Sequence, residues 1–197
     1  MAAERDEDAR LAWREMISQH DPAQFVFVDE SSANTTLTSR YGRAPKGQRA
    51  GGSAPRNYRH NTTLVAALTP DGLRAPMILD GAMDSDAFAA YVRHVLVPQL
   101  RPGQIVILDN LSVHKRADIR QQIEAVACQL IFLPAYSPDF NPIEQAFRKL
   151  KAWLRHAEAR TQDALDAAIA RGLDTITRPN AAGWFQHCHY ALSGQSL

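Results

Sequence analysis

The sequence predicts an α/β fold: one mixed five-stranded sheet flanked by helices. Three observations predict it. Two apolar runs of strand length, FVFVDE (25–30) and QIVILDN (104–110), have the composition of buried central strands. Between them stand two further strand patterns joined by a turn signal, then a helical period. Beyond the second run, helix and strand patterns alternate and two helices close the core.

In chain order, residues 3–18 are charged and helix-prone, with Leu11, Trp13, Met16 and Ile17 available to dock on a neighbour. After the first strand, residues 40–57 hold four Gly and two Pro among basic residues, which predicts a long loop or loose hairpin. TTLVAALT (62–69) and RAPMILDG (74–81) read as strands joined at Pro70-Asp71-Gly72. In residues 84–100 the apolar positions 88, 91, 92, 95 and 96 recur with a helical period behind Asp84 or Ser85 as cap. The strand 104–110, a helix over about 115–127, a short strand QLIFL (129–133), a helix from 142 to about 157 and another from 161 to about 175 follow. Asn141, Pro142 and Glu144 form a helix-start signature: N-cap, first-turn proline and capping-box acid. The expected divisions are an N-terminal helical linker segment (1–21), a main domain (22–178) and a C-terminal tail packing on it (179–197).

At 197 residues the chain suits one domain with a substantial core. Its 45% apolar and 22% charged residues are those of a globular domain, which argues against wholesale disorder. No apolar run approaches a membrane span, and MAAERDEDARLAWREM is too charged for a signal peptide, so a cytoplasmic location is expected. Cys128 and Cys188 are too few for a disulfide framework and read as reduced; His187-Cys188-His189 matches no zinc spacing. The formal charge of +1 hides an uneven distribution. Residues 40–60 carry six Lys or Arg and no acid, and residues 148–160 carry five against the single Glu158. Such basic strips suit a polyanion.

The candidate chemistry lies in carboxylates. Asp29 and Asp109 each end a buried-type strand, where a charge is costly unless a cation compensates. In a sheet of this strand order the first and fourth strands can lie side by side, and ligands gather beyond the carboxyl ends of such strands. Oxygen-only ligands favour Mg²⁺ or Mn²⁺ over zinc. On the helix from 142, Ile143, Phe147, Leu150, Leu154 and Ala157 form an apolar stripe; Glu144, Arg148, Lys151 and Arg155 share the face beside it. That second face reads either as a solvated, salt-bridged surface or as a carboxylate at one end of a basic track suited to phosphates. Glu30 points away from Asp29 in a regular strand and is the weaker candidate. Asp80, Asp84 and Asp86 lack the glycine and distal glutamate of a calcium loop, and capping accounts for two of them. His114 and Asn110 are supporting candidates near Asp109, each with an ordinary loop role as the alternative. An aspartyl-nucleophile phosphatase would need a second Asp where this chain has Ser31.

FVFVDES, the RYGRAPKGQ loop, IVILDNLSVHK and LPAYSPDFNPIEQAFRKLK together resemble the catalytic domain of DDE transposases of the mariner-like superfamily, in its bacterial insertion-sequence branch. The match runs from about 22 to 192, with 34 residues between Asp109 and Glu144. The resemblance implies an RNase H-like (retroviral-integrase-like) fold and the triad Asp29, Asp109 and Glu144 as catalytic residues and metal ligands. It also implies two Mg²⁺ or Mn²⁺ ions, DNA strand cleavage at transposon ends and transfer of the freed 3′-hydroxyl into target DNA. Expected partners are the element's terminal inverted repeats and target DNA, with a homodimer assembling on DNA. Arg40, Arg43, Lys46, Arg148, Lys151 and Arg155 are the candidates for holding DNA backbone. The family's helix-turn-helix region for end recognition has no counterpart before Asp29, which suggests a separately encoded region, an excised domain or a remnant. The alternatives within and beyond the fold are a nuclease without strand transfer and a non-catalytic DNA-binding module.

Overall fold

The computed structural model describes residues 5–39, 42–49, 51, 61–111 and 114–192. The elements are α1 (Glu7–Ile17), β1 (Phe25–Ala33), β2 (Thr62–Thr69), β3 (Gly72–Asp80), α2 (Ser85–Tyr91), β4 (Ile105–Leu108), α3 (Ala117–Glu124), β5 (Gln129–Phe132), α4 (Ile143–Ala157), α5 (Gln162–Leu173) and α6 (Arg178–His187). The strands form a single mixed sheet in the order β3-β2-β1-β4-β5. β1 runs antiparallel to β2 and parallel to β4, and β5 continues parallel to β4. The first and fourth strands are therefore neighbours, with Phe25, Val26 and Phe27 level with Ile105, Val106 and Ile107. By that register Asp29 and Asp109 occupy equivalent positions, each two residues beyond the Phe27–Ile107 pair.

Alternation along the strands divides the core between the two faces. Phe25, Phe27, Leu64, Leu68, Ile105 and Ile107 pack under α1, α4, α5 and α6. Val26, Val28, Val65, Val106 and Leu108 pack under α2 and α3 with Phe88, Tyr91, Ile119 and Ile123. Helix α4 buries Ile143, Ala146, Phe147, Leu150 and Leu154, the stripe its period predicts. Each of the larger ones stabilises by about 1.5–3 kcal/mol on leaving water. Ala157 is exposed instead, because the helix stops there and Glu158 turns left-handed at φ 45°.

Several boundaries differ from the sequence reading. β1 continues three residues past Glu30, held by Ser31, Ser32 and Ala33 pairing with Leu64, Thr63 and Thr62. β3 starts at Gly72 and carries a bulge, with a register shift opposite Val65 and Ala67 and Ala75 at φ 48°. As an edge strand it accommodates Pro76, which has no N–H to give a ladder. The helix expected over 84–100 is α-helical only to Tyr91, then widens to a π turn (Val92–Leu96) and tightens to a 3₁₀ turn (Val97–Gln99) around Pro98. Of the α1 residues expected to dock, Trp13 and Ile17 belong to the main core, whereas Leu11 and Met16 are exposed. Part of the expected tail is helix α6, which buries Ala181, Ala182 and Phe185. Pro179, Gly183 and flanking polar residues blur its period in the sequence.

Candidate active site

Asp29 lies on the face of β1 that meets α4. Its Oδ1 accepts the Glu30 N–H at 2.7 Å, and its Oδ2 accepts the Asn141 side-chain amide at 2.9 Å. Asn141 was expected to cap α4. The helix instead begins at Ile143 with Pro142 in the cap position and no side-chain cap. The Asn141 side chain is turned toward β1, where its amide N–H donates to Asp29, and its oxygen takes no part in capping. Asn141 is 4% exposed, and its Oδ1 has no hydrogen-bond partner.

Asp109 follows directly on β4. Its Oδ1 accepts the Leu111 N–H at 3.1 Å and lies 2.6 Å from His114 Nδ1. The His114 ring is fully buried, packs 4.2 Å from the Phe88 ring centroid and places Nε2 2.9 Å from Glu30 Oε1. Burial alone would lower the imidazole pKa, but the bonds to Asp109 and Glu30 outweigh it and lift it to about 9. At neutral pH the ring is thus protonated and donates to a carboxylate at each end. Glu30 does turn away from Asp29, toward this histidine. Glu144 stands exposed in the first turn of α4.

Asp29, Asp109 and Glu144 line one cleft of about 380 Å³, walled by Asn110 and Leu111 on one side and by Leu133 to Pro138 on the other. Desolvation pushes the Asp29 carboxyl up to about 8, with the charges of Glu144, Asp109 and Glu30 adding to the rise and the Glu30 N–H opposing it. Three oxygen donors on separate elements, a carboxylate whose charge is disfavoured by burial and like charges, and an unpartnered buried amide oxygen make a donor set that fits a hard divalent cation. Among the described residues no group of three or more His, Cys, Asp or Glu side chains stands close enough together to hold a metal ion. The cleft is open, and the carboxylates would have to draw together around an ion.

The wall of the cleft is braced from α1. Arg10, 2% exposed, donates to Ser137 Oγ at 2.6 Å and to both oxygens of Asp139 at 3.1 and 2.6 Å. Trp13 stacks on Phe140 at 5.2 Å and donates its indole N–H to the Phe132 carbonyl. The segment that delivers Asn141 and Glu144 is thus pinned by a helix more than a hundred residues upstream.

Of the expected DNA contacts, Arg43 and Lys46 are exposed, and Arg40 lies outside the described residues. Arg148 is exposed and Lys151 and Arg155 are half-buried on the α4 face that begins at Glu144. None of the ion pairs among the described residues involves these three, so the salt-bridged version of that face is not found. Asn110 is exposed at the cleft edge. The sequence reading missed the parts played by Glu30, Asn141 and Arg10. Strand alternation gave the direction of Glu30, but no local signal joins Asn141 or Arg10 to partners 112 and 127 residues away.

Residues 24–166 match the family described as DDE superfamily endonuclease. No curated protein matches the chain. Among solved structures, the pre-cleavage Mos1 transpososome is 15% identical with a TM-score of 0.70, covering 97% of this chain and 62% of its own. The mariner Mos1 paired end complex with Mg is 17% identical at 0.70, covering 100% and 66%. The catalytic domain of Mos1 mariner transposase is 15% identical at 0.57, covering 93% and 84%. This chain thus spans about three fifths of the longer Mos1 chains. At these identities the likeness speaks for the fold, which is the RNase H-like one expected from the sequence.

Proposed function

The chain belongs to the DDE superfamily of endonucleases, and on that premise we propose that it is the catalytic domain of a transposase that cleaves DNA at transposon ends and joins the freed 3′-hydroxyl to target DNA. The observation that carries this reading is the convergence of Asp29 of β1, Asp109 just beyond β4 and Glu144 of α4 on one open cleft, beside a helix face whose cations Arg148, Lys151 and Arg155 make no ion pair among the described residues. In this reading Asp29, Asp109 and Glu144 hold two divalent ions, Mg²⁺ or Mn²⁺, which when bound supply Lewis-acid stabilisation of the attacking and leaving oxygens of an in-line displacement.

The chain's own residues do the remaining work. Asp29 would lose its proton on ligating an ion, and Asn141, donating to its Oδ2, orients the carboxyl group. Glu144 stands in the first turn of α4 at the rim of the cleft. Arg148, Lys151 and Arg155 extend from Glu144 along α4, and Arg43 and Lys46 stand on the basic loop; in this reading both hold DNA phosphates. The residues 22–178 then form the catalytic unit, with α1 and α6 packed on it. Mos1 has been captured as a paired end complex and as a strand transfer complex, which supports DNA ends as the partner and a dimer on two ends as the working form.

The test is to incubate the protein with end-bearing duplex DNA and Mn²⁺. Nicking that Asp109→Asn abolishes, and joining of a supplied 3′-hydroxyl end to a second duplex, are expected. Nicking unchanged in Asp109→Asn would overturn the assignment, and nicking without joining would leave a nuclease.

A further inference from the structure

We propose that Glu30 and His114 form a clamp that fixes the orientation of Asp109, so that only one of its oxygens is offered to the ions; this rests on the metal-binding reading above. Asp109 Oδ1 is engaged twice, by the Leu111 N–H at 3.1 Å and by His114 Nδ1 at 2.6 Å. Among the described residues Oδ2 has no hydrogen-bond partner and is left for the cleft. The imidazole has no freedom of its own: it is fully buried, packed against Phe88, and held at its far nitrogen by Glu30. The clamp approaches from the α2 side of the sheet, whereas Asn141 orients Asp29 from the α4 side. The two aspartates are thus fixed by different elements from opposite faces.

Strand parity explains why Glu30 suits this task and not ligation. Asp29 and Glu30 are consecutive in β1, so they project to opposite faces. One can line the cleft only if the other turns behind the sheet. A carboxylate turned behind the sheet, level with the end of β4, is placed to anchor a ring lying over that strand end. The arrangement has the form in which outer groups orient a ligand, where loss of the outer partner costs about 10–100-fold in metal affinity. Glu30 and His114 are in these terms positioning residues. They touch no substrate, and their effect passes through Asp109.

The experiment is calorimetric titration of metal-stripped protein with Mn²⁺, without DNA, for wild type, Glu30→Ala, Glu30→Gln and His114→Ala. In parallel, DNA affinity is measured in EDTA. Glu30→Ala and His114→Ala are expected to weaken Mn²⁺ binding by about 10–100-fold while DNA affinity holds. Glu30→Gln, whose amide oxygen can still accept from the imidazole, is expected to recover most of the loss. Equal Mn²⁺ affinity in wild type and both alanine variants would overturn the clamp and leave the metal site standing. Absence of Mn²⁺ binding in wild type would overturn both. If His114→Ala does not fold, the comparison of Glu30→Ala with Glu30→Gln decides alone, and equal affinities there count against the clamp.

Discussion

Replacing Asp29 with Asn should stabilise the metal-free protein at neutral pH, although it removes a residue assigned to the site. The folded carboxyl titrates near 8, against 3.8 for the free side chain, because burial and the charges of Glu144, Asp109 and Glu30 disfavour its ionised form. A pKa raised by folding gives stability that is complete below the unfolded value and is lost as pH climbs toward the folded one. Asn does not titrate, so the mutant's advantage is near zero at pH 4 and grows by up to about 1.4 kcal/mol per pH unit. At pH 7 it should reach about 2–4 kcal/mol and level off above about pH 8. Packing supports the substitution: the Glu30 N–H still meets an oxygen, and Asn141 can turn its partnerless Oδ1 toward the new amide. The assay is urea unfolding in EDTA at several pH values from 4 to 9, followed by thermal unfolding with Mn²⁺ added. Mn²⁺ should raise the midpoint of wild type and not of the mutant. A mutant less stable than wild type at pH 7, or an advantage independent of pH, would refute the reasoning.

Three further outcomes follow from other parts of the molecule. Gly172→Ala should destabilise by about 1–3 kcal/mol in denaturant titration, because an added Cβ would stand 2.5 Å from Leu150 Cδ1 and 2.7 Å from Trp153 Cδ1, where α5 crosses α4. Arg10→Met should cost about 2–4 kcal/mol in the same assay by leaving Ser137 and Asp139 without their donor; an unchanged midpoint would deny the brace. Arg148→Ala and Lys151→Ala should each reduce the slope of log affinity for duplex DNA against log salt by about one, measured by fluorescence anisotropy.

The legible part of this protein was the part written in local pattern. Two apolar runs ending in Asp gave β1 and β4, and the strand order made them neighbours; the 3.6-residue period gave the buried stripe of α4. What escaped depended on contacts between distant segments. Asn141 had the sequence of a helix cap, and no window of sequence around it contains Asp29, whose buried oxygen claims the amide. Arg10 looked like one of many charges on a polar helix, yet it is almost wholly buried against a turn 127 residues away. α6 escaped for a different reason: Pro179 and Gly183 are weak helix formers, and docking of Phe185 against Phe27 and Tyr190 supplies what propensity does not.

The parts of Asn141 and Glu30, missed in the sequence, have a common cause that bears on how the cleft works. A site that gathers four carboxylates, Asp29, Asp109, Glu144 and Glu30, works against its own electrostatics, and the structure relieves that strain with groups drawn from elsewhere. His114 supplies a cation to two of the acids, Asn141 an amide to the third, and burial keeps a proton on Asp29 at neutral pH. Each relief is reversible in the direction a divalent ion would need. The proton on Asp29 can leave, the amide of Asn141 can yield Oδ2, and Asp109 keeps Oδ2 free. Glu144, whose carboxylate makes no hydrogen bond among the described residues and which stands exposed in the first turn of α4, is the acid freest to swing toward an ion. Closure of the cleft should therefore come mainly from Glu144 and least from the clamped Asp109.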